Sequence, residues 1–285
     1  MSEAAEASAA ELRVIRGPRA FGGSPRRFAS LLWLQSVTEF KAGYHNTAFG
    51  YLWSLARPLL LFGVLLLVFT KIFRLGSEVP NYPAMLLLNI MLFTFFAEAT
   101  TNAVQSVTKQ ENVVRKTQFP RIVIPLSVVL TAALDLLLNL LVVFVFLLAY
   151  GVDPQWTWLL LPVLLLALVA ITTGVAMLVS ALYVRFRDVG IIWSVGVQVL
   201  FYAAPILYPI DIAPGSFRDL IQANPLAPIF EQARVWIIDP GAPGISEAAG
   251  GSAALVALPL ILFLATCALG LWVFNREAPR IAEEL

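Results

Sequence analysis

Two carboxylates stand inside otherwise apolar stretches of this chain. Glu98 belongs to a polar stripe at helical spacing that runs Thr94, Glu98, Thr101, Gln105, Thr108, with Asn102 beside it. Asp135 and Asn139 are one helical turn apart and share a face. An ionised carboxylate in hydrocarbon costs about 2.5–3.5 kcal/mol on insertion scales, so both faces have to point into a helix bundle or a wet cavity. Two readings remain open for them. One is a hydrophilic path or gate; the other is hydrogen bonding between helices, worth ~0.6 kcal/mol per pair. A proton relay is a weaker third, because no intramembrane Lys, Arg or His clearly partners either acid.

Aromatic residues make up 12% of the chain. Rings at the ends of apolar stretches anchor at the membrane interface. Mid-stretch rings such as Phe62, Phe201 and Tyr202 either pack against neighbouring helices or line a channel, where the apolar faces of sugars suit an aromatic platform. A short polar segment, Thr108 to Arg121, carries Lys109, Glu111, Arg115 and Lys116, with Pro120 and Pro125 marking the entry to the next apolar stretch. It reads equally as a docking element for another protein or as a positively charged membrane anchor.

Other chemistry lacks its residues. The chain contains no Gly-Lys dipeptide, so it has no phosphate-cradling nucleotide loop. The single histidine, His45, rules out most histidine catalysis and zinc sites and reads as a solvated or headgroup-level residue. The single cysteine, Cys267, sits in an apolar block, makes no internal disulfide and reads as a small core residue. A net charge of +1 gives no case for nucleic-acid binding. No catalytic, cofactor or metal site is expected.

The elements that position these residues follow from composition. Of 285 residues, 59% are hydrophobic and 13% charged, against ~25% charged in an average soluble domain. Such a chain has too little polar surface for a water-soluble shell. A span needs ~20 mostly apolar residues, and six are expected: about Tyr51 to Phe73, Tyr82 to Val107 and Phe119 to Tyr150, then within Pro154 to Val184, Val189 to Ile210 and Ala248 to Asn275. Ahead of them, Trp33, Val37, Phe40 and Tyr44 share one face of an amphipathic helix in the membrane interface. The expected organisation is a flexible cytoplasmic tail over 1–24 with no secretory leader, the interface helix over 25–46, a six-span domain over 47–277 and a cytoplasmic C-terminus over 278–285. Between spans five and six, Asp211 to Glu247 contains Pro214, Pro225 and Pro228 and an apolar stretch too short to span, Ile229 to Ile238. It reads as short outer helices dipping back toward the membrane. With the N-terminus inside, fifteen of the nineteen basic residues fall on the cytoplasmic side, which places both termini there.

Several segments, in this order, resemble the membrane subunits of ABC-2 type exporters in the polysaccharide and polyol-phosphate branch, which handle O-antigen and teichoic acid. They are Phe40-Lys41-Ala42-Gly43-Tyr44; Phe49-Gly50-Tyr51-Leu52-Trp53-Ser54-Leu55-Ala56-Arg57-Pro58; Glu111-Asn112-Val113-Val114-Arg115-Lys116 with Phe119-Pro120-Arg121; Val184-Arg185-Phe186-Arg187-Asp188-Val189; Pro205-Ile206-Leu207-Tyr208-Pro209; and Asn224-Pro225-Leu226-Ala227-Pro228. The resemblance covers about residues 28 to 275; the tail before Ser24 has no counterpart.

That resemblance implies an all-α membrane protein of the inner membrane that works as a homodimer with two copies of a separate ATPase. ATP and magnesium then belong to the partner, and this chain is a transport subunit rather than an enzyme. The implied coupling helix holds Lys109, Glu111, Arg115, Lys116 and Gln118. The implied path for a lipid-linked glycan runs between copies along spans one and five, with Phe62, Phe69, Phe201, Tyr202 and Tyr208 as candidates. Asp211, Asn224, Pro225 and Pro228 fall in the implied outer gate. The cargo class is O-antigen, a teichoic-acid-like polymer or, given an arginine-over-lysine bias typical of GC-rich genomes, a cell-wall galactan. The alternatives are an ABC-2 permease for a drug or small lipid, and an integral-membrane glycosyltransferase using Asp211, Asp219, Glu231 and Asp239.

Overall fold

The computed structural model describes residues 25–44, 50–74, 79–111, 120–248, 250 and 252–278. All regular structure among them is helical. In chain order the helices are α1 (Pro25–Tyr44), α2 (Leu52–Leu67, widening into a π-type turn to Ile72), α3 (Tyr82–Val104), a short α4 (Ser106–Lys109), α5 (Val123–Tyr150), α6 (Leu161–Arg185, preceded by a tighter turn from Trp156), α7 (Val189–Ala203), α8 (Gly215–Gln222), α9 (Ala227–Ala233, widening to Ile238), α10 (Ile245–Ala248) and α11 (Ala253–Glu277). Local signals set several ends. Pro83 and Pro162 sit in the first turns of α3 and α6, where a missing N–H is harmless. Gly151, at φ 92°, closes α5 by donating back to Leu147 and Leu148.

Five helical stretches are long and apolar enough to cross a membrane: Leu52–Ile72, Tyr82–Val104, Val123–Tyr150, Trp156–Arg185 and Ala253–Glu277. The expected fifth span departs from this. Only 15 residues of it, Val189–Ala203, are helical, about 22 Å at 1.5 Å per residue against ~30 Å of hydrocarbon. The reason is local. Pro205 forces Ala204 out of the helical region, to φ −101° and ψ 154°, and Pro209 follows before helix can resume.

α3 is the hub. Within its apolar window 78% of residues are buried, and α2, α5, α6 and α7 all pack around it. α11 lies outside, packed chiefly on α6, with 11% of its window buried. Lipid is no more apolar than leucine, so helices in a bilayer associate through close backbone approach at small residues. α6 and α11 do this at Gly174 and Gly270. A Cβ at Gly174 would lie 2.8 Å from the Cys267 Cα, and one at Gly270 would overlap the Gly174 carbonyl.

Gly270→Ala should therefore force the two helices apart. Overpacking of this kind costs about 1–3 kcal/mol, and each kcal/mol lowers the detergent-solubilised Tm by about 2–4 °C. Gly63→Ala, whose methyl meets nothing within 4 Å, should leave Tm unchanged or slightly higher. Equal melting of the two variants would refute the close contact.

Candidate functional site

α1 docks on α5 through polar residues. Ser127, Thr131, Asp135 and Asn139 form an i, i+4 stripe along α5. Opposite it, Ser36 is fully buried and donates to the Ser127 carbonyl at 3.3 Å, while the Thr131 hydroxyl donates to the Ser36 carbonyl at 3.1 Å. The Gln35 amide donates to Glu39 at 3.1 Å and to Gln110 at 2.9 Å, and the Gln110 amide donates to the same Glu39 oxygen at 3.0 Å. The Tyr44 hydroxyl donates to Asp135, and that of Tyr51 to Asn139 at 2.8 Å. Burial, reinforced by the Asp135 bond, pushes the Tyr44 phenol well above its ordinary range, so it stays a donor.

This differs from the expected face. Trp33 is 57% exposed and Val37 only half-buried, whereas Phe40 and Tyr44 turn inward, edge-on at 5.1 Å. The stripe on α5 selects the side of α1 that can answer its hydrogen bonds. An apolar side could not do so without stranding Asp135.

Behind this contact lies a polar cavity of about 450 Å³ between α1, α2, α3, α5 and α7. A second lobe of about 270 Å³ shares its Glu39, Glu98, Asn102, Thr131 and Asp135 walls and reaches Lys109 and Gln110. Glu98, Asn102 and Asp135 thus come together, while Asn139 is held apart by Tyr51. Arg57 enters the cavity from α2, on the wall facing Glu98. Asp135 makes an interhelical hydrogen bond with Tyr44 and, with Glu98, lines the void. Of the coupling candidates, Lys109 lines the second lobe and Glu111 follows α4. Arg115, Lys116 and Gln118 lie outside the described residues, as do His45 and the tail.

At the opposite end, the chain after Ala203 is unwound yet buried: Ala204 and Ile206 are fully enclosed and Leu207 nearly so. Side chains answer its backbone. Asn89 donates to the Pro205 carbonyl at 3.2 Å, Tyr82 to that of Leu207 at 2.8 Å, Asn224 to that of Ala203 at 3.3 Å and Tyr208 to that of Tyr202 at 2.8 Å. The Ile210 N–H donates to buried Glu231 at 2.8 Å. Arg234 bridges Asp211 at 2.9 Å and approaches Glu231 at 3.7 Å. Of the outer-gate candidates, Asp211 and Asn224 therefore hold the unwound segment, and Pro225 and Pro228 flank the start of α9. Sequence reasoning missed Tyr82 and Asn89 and gave Arg234 no role. An ionisable pair within the apolar stretch Ile229 to Ile238 was the available signal. The outer acids proposed for a transferase include Asp211 and Glu231, which accept hydrogen bonds from Arg234 and from the Ile210 N–H respectively.

The aromatic candidates separate into groups. Phe62 is 8% exposed and edge-on to Phe146, and Phe69 stacks on Phe73. Phe201 lies 5.3 Å from both Phe93 and Tyr202, and Tyr202 presents 57% of its surface. The structure thus brings Phe201, Tyr202 and Tyr208 together at the broken end of α7.

Comparison with known proteins gives a consistent picture. The sequence profile described as ABC-2 type transporter matches residues 30–238. Two Klebsiella pneumoniae proteins named O-antigen export system permease protein RfbA are each 36% identical over 198 residues, covering 69% of this chain and 76% of the relative. A Myxococcus xanthus protein of the same name is 32% identical over 190 residues, covering 66% and 72%.

Burial pushes the Glu231 carboxyl up to about 7 from an ordinary 4.5, with Asp211 adding to the rise and the Ile210 N–H, Arg234 and Arg218 opposing it. The folded chain therefore keeps a proton that the unfolded chain releases near 4.5. The associated stability is fully present below that pH and is lost as pH rises through about 7. Tm of the wild type should fall relative to that of Glu231→Gln between pH 5 and 8; parallel pH profiles would refute the assignment.

Proposed function

The chain belongs to the ABC-2 type transporter family, and we propose that it is the membrane subunit of an ATP-driven exporter of a lipid-linked polysaccharide across the inner membrane. The observation that carries this reading is the 36% identity, over 69% of the chain, to permeases named for O-antigen export. Both termini are cytoplasmic in this reading, which puts the Glu98 cavity on the side where such a cargo would be presented.

The physics of the cargo supports a path between two copies. A hydroxyl moved into hydrocarbon without a partner costs several kcal/mol, so a glycan needs a hydrated or aromatic-lined route. Cavities of a few hundred Å³ inside one chain suit a headgroup and not a polymer. α2 and α7 meanwhile turn rings outward, among them Trp53, Phe73 and Tyr202. A homodimer facing these helices toward each other, with two ATPase copies below, supplies the route. The membrane subunit then does no covalent chemistry. Nucleotide binding on the partner moves the loop after α4 and shifts the helices between two arrangements, which requires the partner to bind one of them better.

Reversing charge in that loop tests the coupling. Glu111→Lys and Lys116→Glu should each lower glycan export and cargo-stimulated ATP hydrolysis on the order of tenfold, a coupling loss of about 1.4 kcal/mol, with membrane insertion intact. Wild-type export in both variants would remove the loop from the mechanism. Stimulation by a drug or a small lipid but by no polyprenyl-linked glycan would overturn the cargo class.

A further inference from the structure

We propose that the cavity between α1, α2, α3, α5 and α7 is a subsite for the first sugar of the cargo, recognised through its hydroxyls and not through the lipid phosphate. This deepens the export reading and rests on it. The volume of about 450 Å³ falls within the ~300–1,000 Å³ of small-molecule sites and has room for about one or two sugar rings.

Charge decides the ligand class. Glu39, Glu98 and Asp135 face Arg57 across the larger lobe, and Lys109 is the cation of the smaller one. Among the described residues, three acids against two cations make a poor pocket for a phosphate or diphosphate. Hydroxyl donors are the natural complement of carboxylates, and Arg57 and Asn102 supply the donors that sugar oxygens accept. A bound metal fits less well: among the described residues no three acidic, His or Cys side chains group closely enough to hold one. Phe40 and Tyr44 provide aromatic wall for the apolar face of the ring.

The walls divide into a held set and an available set. Glu39 is fixed by Gln35 and Gln110, and Asp135 by Tyr44, the kind of support that keeps a binding constellation in register. The side chains of Glu98, Arg57, Thr101 and Asn102 make no hydrogen bond to another described residue, and all line the same void. Placing Glu98 in a membrane helix is unfavourable; Arg57 across the cavity offsets its charge, and a polyol there supplies hydrogen-bond donors that the described residues do not. Gln110, bonded to Glu39 and one residue ahead of Glu111, joins the occupied cavity to the loop that meets the ATPase. A sugar that favours one arrangement of this network biases that loop.

The test uses the full complex with its ATPase in proteoliposomes, with Gly43→Cys, which lines the cavity and whose Cβ meets nothing within 4 Å, in a Cys267→Ala background and a water-soluble maleimide. The probes are polyprenyl diphosphate bearing a single hexose, N-acetylhexosamine or deoxyhexose, and the same lipid diphosphate with no sugar; the ATPase rate is read in parallel. At least one glycosylated probe should slow labelling by about fivefold or more while the bare lipid changes it less than about twofold, and Glu98→Gln should raise the probe concentration needed about tenfold. Thr101→Val, on the same wall, carries the same expectation if Glu98→Gln fails to reach the membrane. Equal protection by the bare lipid would make this a phosphate or lipid site and overturn the sugar assignment. Stimulated ATPase without protection would refute the subsite and leave the export reading standing. Neither protection nor stimulation by any glycosylated probe would remove the export reading and the subsite with it.

Discussion

Inside hydrocarbon, a backbone carbonyl or N–H without a partner costs several kcal/mol. The six residues after Ala203 have to meet this constraint without a helix. Pro205 and Pro209 forbid helical continuation. The freed carbonyls of Ala203, Pro205 and Leu207 are instead answered by Asn224, Asn89 and Tyr82. Most of the outer segment's geometry follows from that substitution. Asn224 can reach Ala203 only because the chain folds back as α8 and α9. Glu231 can reach the Ile210 N–H only because α9 is buried against α6. Arg234 in turn makes the placement of Asp211 and Glu231 at one spot tolerable.

The opposite end solves the same problem with side chains instead of backbone. The α5 stripe of Ser127, Thr131, Asp135 and Asn139 cannot face lipid. It is covered by α1, whose Ser36, Glu39 and Tyr44 are spaced to meet it. The cover is incomplete, and the cavity at Glu98 is what remains between it, α2 and α3. A helix that lay on the bundle by an apolar face would have left no such space.

Long apolar runs made five of the membrane-length helices legible with ends near the expected ones, because hydrophobic length is a property of local sequence. The fate of the fifth span depended on Pro205, visible in the sequence, and on Asn89 and Tyr82, which lie more than a hundred residues away in an otherwise apolar helix and carry no local signal for their role. The meeting of Glu98 with Asp135 was half legible. Each stripe could be read on its own helix, but which stripe turned toward α1 and which toward the void is set by packing. The role of Gln35 and Glu39 was hidden for a related reason. Amphipathicity predicts that a polar face meets water, and here it meets another polar face.

α3 carries a contact for each end on one rigid rod. Asn89 and Glu98 are nine residues apart, about 13.5 Å along the axis and half a turn around it. The first holds the broken end of α7; the second faces the cavity. Between them lies a fully packed stretch that includes Ile90, Met91 and Leu92, too dense to deform smoothly. α7 is bound to this rod by Phe93 against Phe201 and Phe96 against Trp193. A displacement of α3 driven from the cavity or from the loop after α4 therefore cannot stay local. It is carried to the Pro205 and Leu207 carbonyls, which accept hydrogen bonds from Asn89 and Tyr82 of α3. Each is worth about 1 kcal/mol net, within the 1–3 kcal/mol typical of coupling between sites. An unwound segment tied to α3 through side chains can exchange those partners without breaking a helix, and an unbroken α7, with its hydrogen bonds internal, could not.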